Sequence, residues 1–207
     1  MKIVVFFSGT GTNLESILKE QKNYGYEVVS AFTNNPDAKG IQICKEYKTE
    51  CKIIDHRDFS SREDFDKDIS SFLDQINPDY IILAGYMRII SESLVNDWEG
   101  QIINIHPSLL PKYKGLHAIE QAFESGDKVT GCTVHYVNEH LDSGEIILQE
   151  EVPILANDTV ETLTKAVQRR EYYLLPQAIQ VFKEKTLTLP FLLSCKGAPI
   201  ALSLIHI

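Results

Sequence analysis

Short apolar runs alternate with amphipathic stretches through the first half of the chain. KIVVFF (2–7), YEVVSAFT (26–33), CKIID (51–55), DYIILA (79–84) and IINI (102–105) each read as a strand with few polar interruptions. Between them, apolar positions recur at helical spacing. Asn13 to about Lys22 places Leu14, Ile17 and Leu18 on one face, and Ala38–Tyr47 forms a second predicted helix. Ser61–Ile76 places Phe65, Ile69, Phe72, Leu73 and Ile76 together, and a short helix follows near Ser91–Trp98. Continuously apolar strands separated by amphipathic helices imply a parallel sheet covered on both faces. The pattern predicts an α/β fold with a doubly wound, mostly parallel twisted sheet.

The alternation changes after Ile105. A helix is expected over Ala118–Ser125. TGCTVHYVN (130–138) and GEIILQEEVPI (144–154) then read as strands joined by EHLDSG, a connector short enough for an antiparallel pair. The last helix is expected from Asp158, with Asp158 and Glu161 as a capping box. Its stripe is Val160, Leu163, Val167, Leu174, Leu175 and Ala178, and Pro176 is expected to kink or end it. From about Thr186 the chain is Leu- and Ile-rich without a clean period, and reads as an atypical tail: a docking strand or non-native sequence.

Composition narrows the function. The chain has 207 residues, 43% hydrophobic and 24% charged, the balance of an ordinary globular domain. Its net charge is −9, and no Lys/Arg run exceeds Arg169-Arg170, which argues against nucleic acid as a partner. Cys44, Cys51, Cys132 and Cys195 form no CxxC pair and no zinc-like spacing with histidine, so they read as reduced thiols. The apolar run after Lys2 is too short for a secretory signal, and no segment is apolar enough to span a membrane. A cytoplasmic protein is the expectation.

Three unusual segments follow strands, where ligands bind in open parallel sheets. SGTGTN (8–13) precedes a helix. Gly9 and Gly11 allow close backbone approach, the helix start offers free N–H groups, and Thr10, Thr12 and Asn13 add donors. With Leu14 in place of a third Gly, a phosphate monoester fits better than a dinucleotide, and a plain tight turn remains the alternative. GYMRII (85–90) reads either as a turn with Arg88 solvated and Ile89 and Ile90 in the core, or as an apolar wall for a flat heterocycle. Asn104 and His106 are two apart on a strand, so their side chains share one side. A carboxamide can stabilise an oxyanion and an imidazole can move a proton, which suits acyl-type transfer. Asp142 is the best candidate for an orienting carboxylate, although Asp-Ser-Gly is also an ordinary turn.

Ser108 lacks the GxSxG elbow of a nucleophile. His117 and His135 are weaker candidates for supporting roles, and His56 and His140 read as surface residues. Glu171 interrupts the apolar stripe of the last helix, where a carboxylate needs a partner.

NIHPSLLPKYKGLH (104–117), with SGTGTN before it, AGYMRII at 84–90 and LDSGEIILQ at 141–149, resembles the phosphoribosylglycinamide formyltransferases, folate-dependent enzymes of purine biosynthesis. The similarity covers about Met1 to Phe182, with residues 1–185 expected as one domain. It implies formyl transfer from 10-formyltetrahydrofolate, as co-substrate and without a metal, to the amine of glycinamide ribonucleotide. Asn104, His106 and Asp142 match the family's catalytic trio. Gly11, Thr12 and Asn13 match the segment that binds the substrate phosphate, and Gln168, Arg169, Arg170 and Glu171 the one that holds the ribose and glycinamide end. Arg62, Met87, Arg88, Ile89, Ile90, Asn104, Asn138, Glu139, His140, Leu141 and Asp142 match folate-contacting positions. The oligomeric state stays open between monomer and homodimer. A formyltetrahydrofolate hydrolase and a non-enzymatic nucleotide-binding module are the alternatives. The expected phosphate loop, and a first strand already at Lys2, set the chain apart from the hydrolase. Lys114 departs from relatives that often carry Pro before this Gly.

Overall fold

A single seven-stranded sheet organises the chain, in the order β3-β2-β1-β4-β5-β6-β7. The structure, a computed structural model, describes the backbone of residues 1–194 and the side chains of residues 1–182. Five strands are β1 (Lys2–Phe7), β2 (Glu27–Thr33), β3 (Cys51–Ile53), β4 (Tyr80–Leu83) and β5 (Ile102–His106), all parallel. β6 (Val129–Tyr136) and β7 (Ile146–Pro153) complete it, each antiparallel to its neighbour. The helices are α1 (Thr12–Tyr24), α2 (Gly40–Tyr47), α3 (Arg62–Ile76), α4 (Glu92–Asp97), α5 (Ala118–Glu124) and α6 (Val160–Ser194). This is the doubly wound, mostly parallel arrangement expected, with the antiparallel strands on the C-terminal side.

The apolar strands alternate their side chains between two separate cores. Ile3, Val5 and Phe7 of β1 pack with α1 and α6, while Val4 and Phe6 pack with α3 and α4. Those β1 residues are fully buried, as the run KIVVFF requires. Edge strands are the exception: Lys52 and Ile53 of β3 are exposed, and along β7 only Val152 is buried.

Helix ends differ from expectation at α3, α4 and α6. Ser61 and Ser91 cap α3 and α4 through their hydroxyls, so those helices begin one residue later than the apolar pattern indicated. The Asp158–Glu161 box does not form. Thr159 Oγ1 accepts from the Thr162 N–H at 3.2 Å, Asp158 closes the preceding turn by accepting from the Leu155 N–H, and Glu161 pairs with Lys165. Pro176 does not end α6, which continues to Ser194, and the ring is buried beside Leu175. The part of the tail at 186–194 is therefore helix rather than strand, and residues 195–207, with Cys195 and His206, lie outside the described residues. Cys44 and Cys132 are buried free thiols, and Cys51 is half-buried. Among the described residues, no helix is long and apolar enough to cross a membrane.

Candidate active site

The carboxyl ends of β1, β2 and β4 are tied together by one hydroxyl. Ser8 Oγ donates to Asn34 Oδ1 at 2.6 Å and accepts from the Met87 N–H at 2.8 Å. The Asn35 amide donates to the Ser8 carbonyl at 3.2 Å. At the other end of the β4 loop, buried Asp66 accepts from the Ser91 N–H at 2.6 Å. The GYMRII segment is thus held at both ends. Met87 and Ile89 are 72% and 60% exposed, so both lie outside the core, while Ile90 packs on the α3 side. Arg88 is half-buried rather than fully solvated as an ordinary turn would leave it. Its guanidinium lies 5.5 Å from the Phe65 ring centre and its Nε is buried without a partner. Arg62, at the start of α3, is exposed on the same edge. His56 is half-buried, against expectation, because its Nδ1 lies 2.9 Å from the Asn34 carbonyl.

The β1 loop needs Gly at one position. Gly11 has φ 76°, and a Cβ there would lie 2.6 Å from the Gly40 Cα, whereas one on Gly9 would meet nothing within 4 Å. Gly11 therefore lets α2 pack against the loop, and the Gly40 N–H donates to the Gly9 carbonyl at 3.1 Å. No side chain caps α1, so its first N–H groups stay available to an anion. Thr12 and Arg169 line one groove of 690 Å³ between α1 and α6, together with Tyr172, Tyr173 and Pro176.

Asn13 and Glu171 meet behind this loop. The Asn13 amide donates to Glu171 Oε2 at 2.9 Å, and both side chains are buried. Burial pushes the Glu171 carboxyl above its ordinary value, opposed by the Asn13 hydrogen bond. Asn13 Oδ1 is buried with no donor. A carboxylate and an unpaired carbonyl together call for N–H or O–H donors from a ligand. The other residues of this segment diverge. Arg170 turns to β7, where it pairs with Glu150 at 2.9 Å, and Gln168 is half-buried. Successive helical positions are about 100° apart, so these four side chains leave the helix in different directions.

Across the sheet, β5 brings Asn104 and His106 to one side, and β6 completes the pair. Asn104 sits opposite His135 and His106 opposite Thr133. His135 is 2% exposed, with Nδ1 2.8 Å from the Tyr136 carbonyl and Nε2 3.2 Å from Asn104 Nδ2. Burial pushes the His135 imidazole below its ordinary value, so a neutral ring is favoured. Its Nδ1–H then donates to Tyr136, and its Nε2 accepts from the Asn104 amide, which fixes how that carboxamide points. His135 belongs to the site far more firmly than sequence indicated. The signal was available in the strand register, since a His on β6 facing Asn104 shares its face. His117 is exposed at the start of α5 and pairs with Glu120 at 3.5 Å, and makes no contact with this cluster among the described residues.

Asp142 arrives from the β6–β7 connector. Its side chain is 7% exposed, with Oδ2 3.3 Å from His106 Nδ1 and Oδ1 3.7 Å from His135 Nε2. His106 Nε2 lies 2.8 Å from the Tyr113 carbonyl. The His106 ring thus stands between two oxygens, the Asp142 carboxylate and the Tyr113 carbonyl. Ser108 is fully buried and donates to the Lys112 carbonyl at 2.6 Å, a loop-building role and not a nucleophile's. Around the polar cluster the rim is apolar: Leu116 and Leu141 are 74% and 55% exposed. Asn138, Glu139 and His140 are exposed, with Asn138 closing a turn by accepting from the His140 N–H at 3.0 Å. Among the described residues, no group of three His, Cys, Asp or Glu is placed to hold a metal ion.

A doubly wound sheet whose ligand edge carries these groups is that of an α/β protein with a ligand site at the carboxyl ends of its strands. Comparison with known proteins narrows the class: the profile of the Formyl transferase family matches residues 1–179, and the chain belongs to that family. It is 39% identical over 186 residues to phosphoribosylglycinamide formyltransferase of Escherichia coli, covering 89% of this chain and 88% of that protein. It is 42% identical over 183 residues to the trifunctional purine biosynthetic protein adenosine-3 of Gallus gallus, covering 87% of this chain but only 18% of that protein's length. The crystal structure of phosphoribosylglycinamide formyltransferase from Bacillus halodurans superposes with a TM-score of 0.86 at 40% identity, covering 90% of this chain and 97% of that one.

Proposed function

We propose that this chain transfers the formyl group of 10-formyltetrahydrofolate to the amine of glycinamide ribonucleotide, a step of purine biosynthesis. The observation that carries the reading is the meeting of Asn104, His106 and Asp142 in one polar cluster under an apolar rim. The amine attacks the formyl carbon and its carbonyl oxygen becomes an oxyanion. The Asn104 carboxamide, with one N–H held by His135, offers the other to that oxygen, and doubly protonated His106 supplies positive charge beside it. Asp142 balances the imidazolium, and the amine's proton passes to the leaving folate nitrogen through water that Asp142 orders. Met87, Ile89 and Leu141 form the wall for the flat folate ring. Gly11, Thr12 and the start of α1 take the phosphate, with Arg169 alongside, and Glu171 with Asn13 takes the ribose and glycinamide end. Arg170, engaged with Glu150, is not assigned to the substrate.

Supplying 10-formyltetrahydrofolate with and without glycinamide ribonucleotide tests the reading. Tetrahydrofolate release that depends on the amine is expected. Amine-independent release would make the chain a hydrolase, and no release a binding module.

Glu171 gives a prediction in which stability and activity part. Its folded-state carboxyl is raised by burial above the unfolded value near 4.5. The stabilisation from its proton is complete below that value and is lost as pH rises through the folded one. Glu171→Gln removes this dependence while keeping shape and an oxygen for Asn13. At pH 7–8 the variant should melt no lower than wild type. Its KM for glycinamide ribonucleotide should rise by about tenfold or more, since a hydrogen bond to a charged group contributes about 1.5–3 kcal/mol. Melting curves across pH and steady-state kinetics check both; an unchanged KM would remove Glu171 from the substrate site.

A further inference from the structure

The His106–Asp142 pair is bridged from one side to the other by three consecutive residues. The Tyr113 carbonyl faces His106 Nε2 at 2.8 Å, and the Gly115 N–H donates to Asp142 Oδ2 at 2.8 Å. The backbone here is costly. Tyr113 has φ 54°, Gly115 φ 77° and Asp142 itself φ 46°, in the left-handed region that residues other than glycine avoid. Such conformations persist only where the surroundings over-determine them.

Between the two bridging residues stands Lys114, whose exposed ammonium donates to Ser143 Oγ. The Ser143 hydroxyl in turn donates to the Leu141 carbonyl at 2.9 Å, which closes a turn across Asp142. The order of donors is forced, because an ammonium has no lone pair and Ser143 has one proton. A charged donor on the Ser143 oxygen also polarises that hydroxyl and strengthens its bond to Leu141. A proline at 114 could not make this chain of contacts, because it has no side-chain donor.

We propose that Lys114 is a positioning residue: acting through Ser143, it holds Asp142 in the left-handed conformation that presents Oδ2 to both His106 and Gly115. The kinetic side of this inference rests on the transferase reading above; the structural side does not.

Lys114→Met, Ser143→Ala, their double variant and Lys114→Arg in the full chain provide the test. Each of the first two should lower kcat about tenfold, since small misplacements of reacting groups cost up to about a hundredfold. KM for glycinamide ribonucleotide should stay within about twofold, because the substrate site on α1 and α6 is untouched. The double variant should fall no further than the worse single, as both cut one chain of contacts. Arginine, which keeps a cationic donor, should restore most of the rate. Independently of turnover, the Gly115 amide should exchange with solvent about tenfold faster in Lys114→Met. Wild-type kcat in both single variants, additive losses in the double, or unchanged Gly115 exchange would overturn the proposal. If the wild-type chain transferred no formyl group, the transferase reading would fall, while Gly115 exchange would still decide the role of Lys114.

Discussion

Asp142→Asn is expected to lower kcat by on the order of 10²–10⁴, the range for losing a general acid or base or the group that supports it. Asparagine is the informative replacement because it tolerates the left-handed backbone that Asp142 adopts at φ 46°. Its carbonyl oxygen can still accept from the Gly115 N–H, which Asp142 Oδ2 does at 2.8 Å. What disappears is the negative charge 3.3 Å from His106 Nδ1. Without it, in the proposed mechanism, His106 loses the carboxylate beside it, and proton transfer to the leaving nitrogen loses its orienting group. The melting temperature should stay within a few degrees of wild type. Steady-state kinetics with a thermal melt check this result, and a wild-type rate in a folded variant would take Asp142 out of the chemistry.

Asn104→Ala should cost on the order of 10²–10³ in kcat, the usual loss for one oxyanion donor. The loss should fall on kcat with both KM values little changed, because the contact forms fully only as charge develops on oxygen. His135 sharpens the expectation. Its Nε2, 3.2 Å from Asn104 Nδ2, aims the carboxamide and does not itself reach the oxyanion in the proposed mechanism. His135→Gln should therefore lose less than Asn104→Ala, and in an Asn104→Ala background it should add little further loss. Comparable and additive losses in the two variants would show that His135 contributes on its own account.

Periodicity made most of the architecture legible. The β1 run KIVVFF has no polar face, and only a strand between two cores can bury such a run, as the two clusters on either side of β1 show. Asn104 and His106 were readable as a pair because strand side chains alternate with period two, a local rule that needs no partner. The helix caps were less legible. Whether Asp158 or Thr159 caps α6 depends on a backbone turn of one residue, and several neighbouring oxygens compete for the same N–H groups. Pro176 reads as a breaker by itself, but α6 carries it through with the ring buried beside Leu175, where packing offsets one missing hydrogen bond.

The sequence by itself determined the strand and helix order, the sheet edge that carries the ligand loops, and the residue types available there. Through resemblance it also pointed to the family. Only the tertiary structure decided which of those residues meet. His135 joined the site because antiparallel pairing set it opposite Asn104, and register between strands is a long-range property. Helical rotation turned Arg170 toward Glu150 while it turned Glu171 inward to Asn13, 158 positions away in the chain. Lys114 gained a partner for the same reason: Ser143 is 29 residues distant, and only folding brings its oxygen to the ammonium.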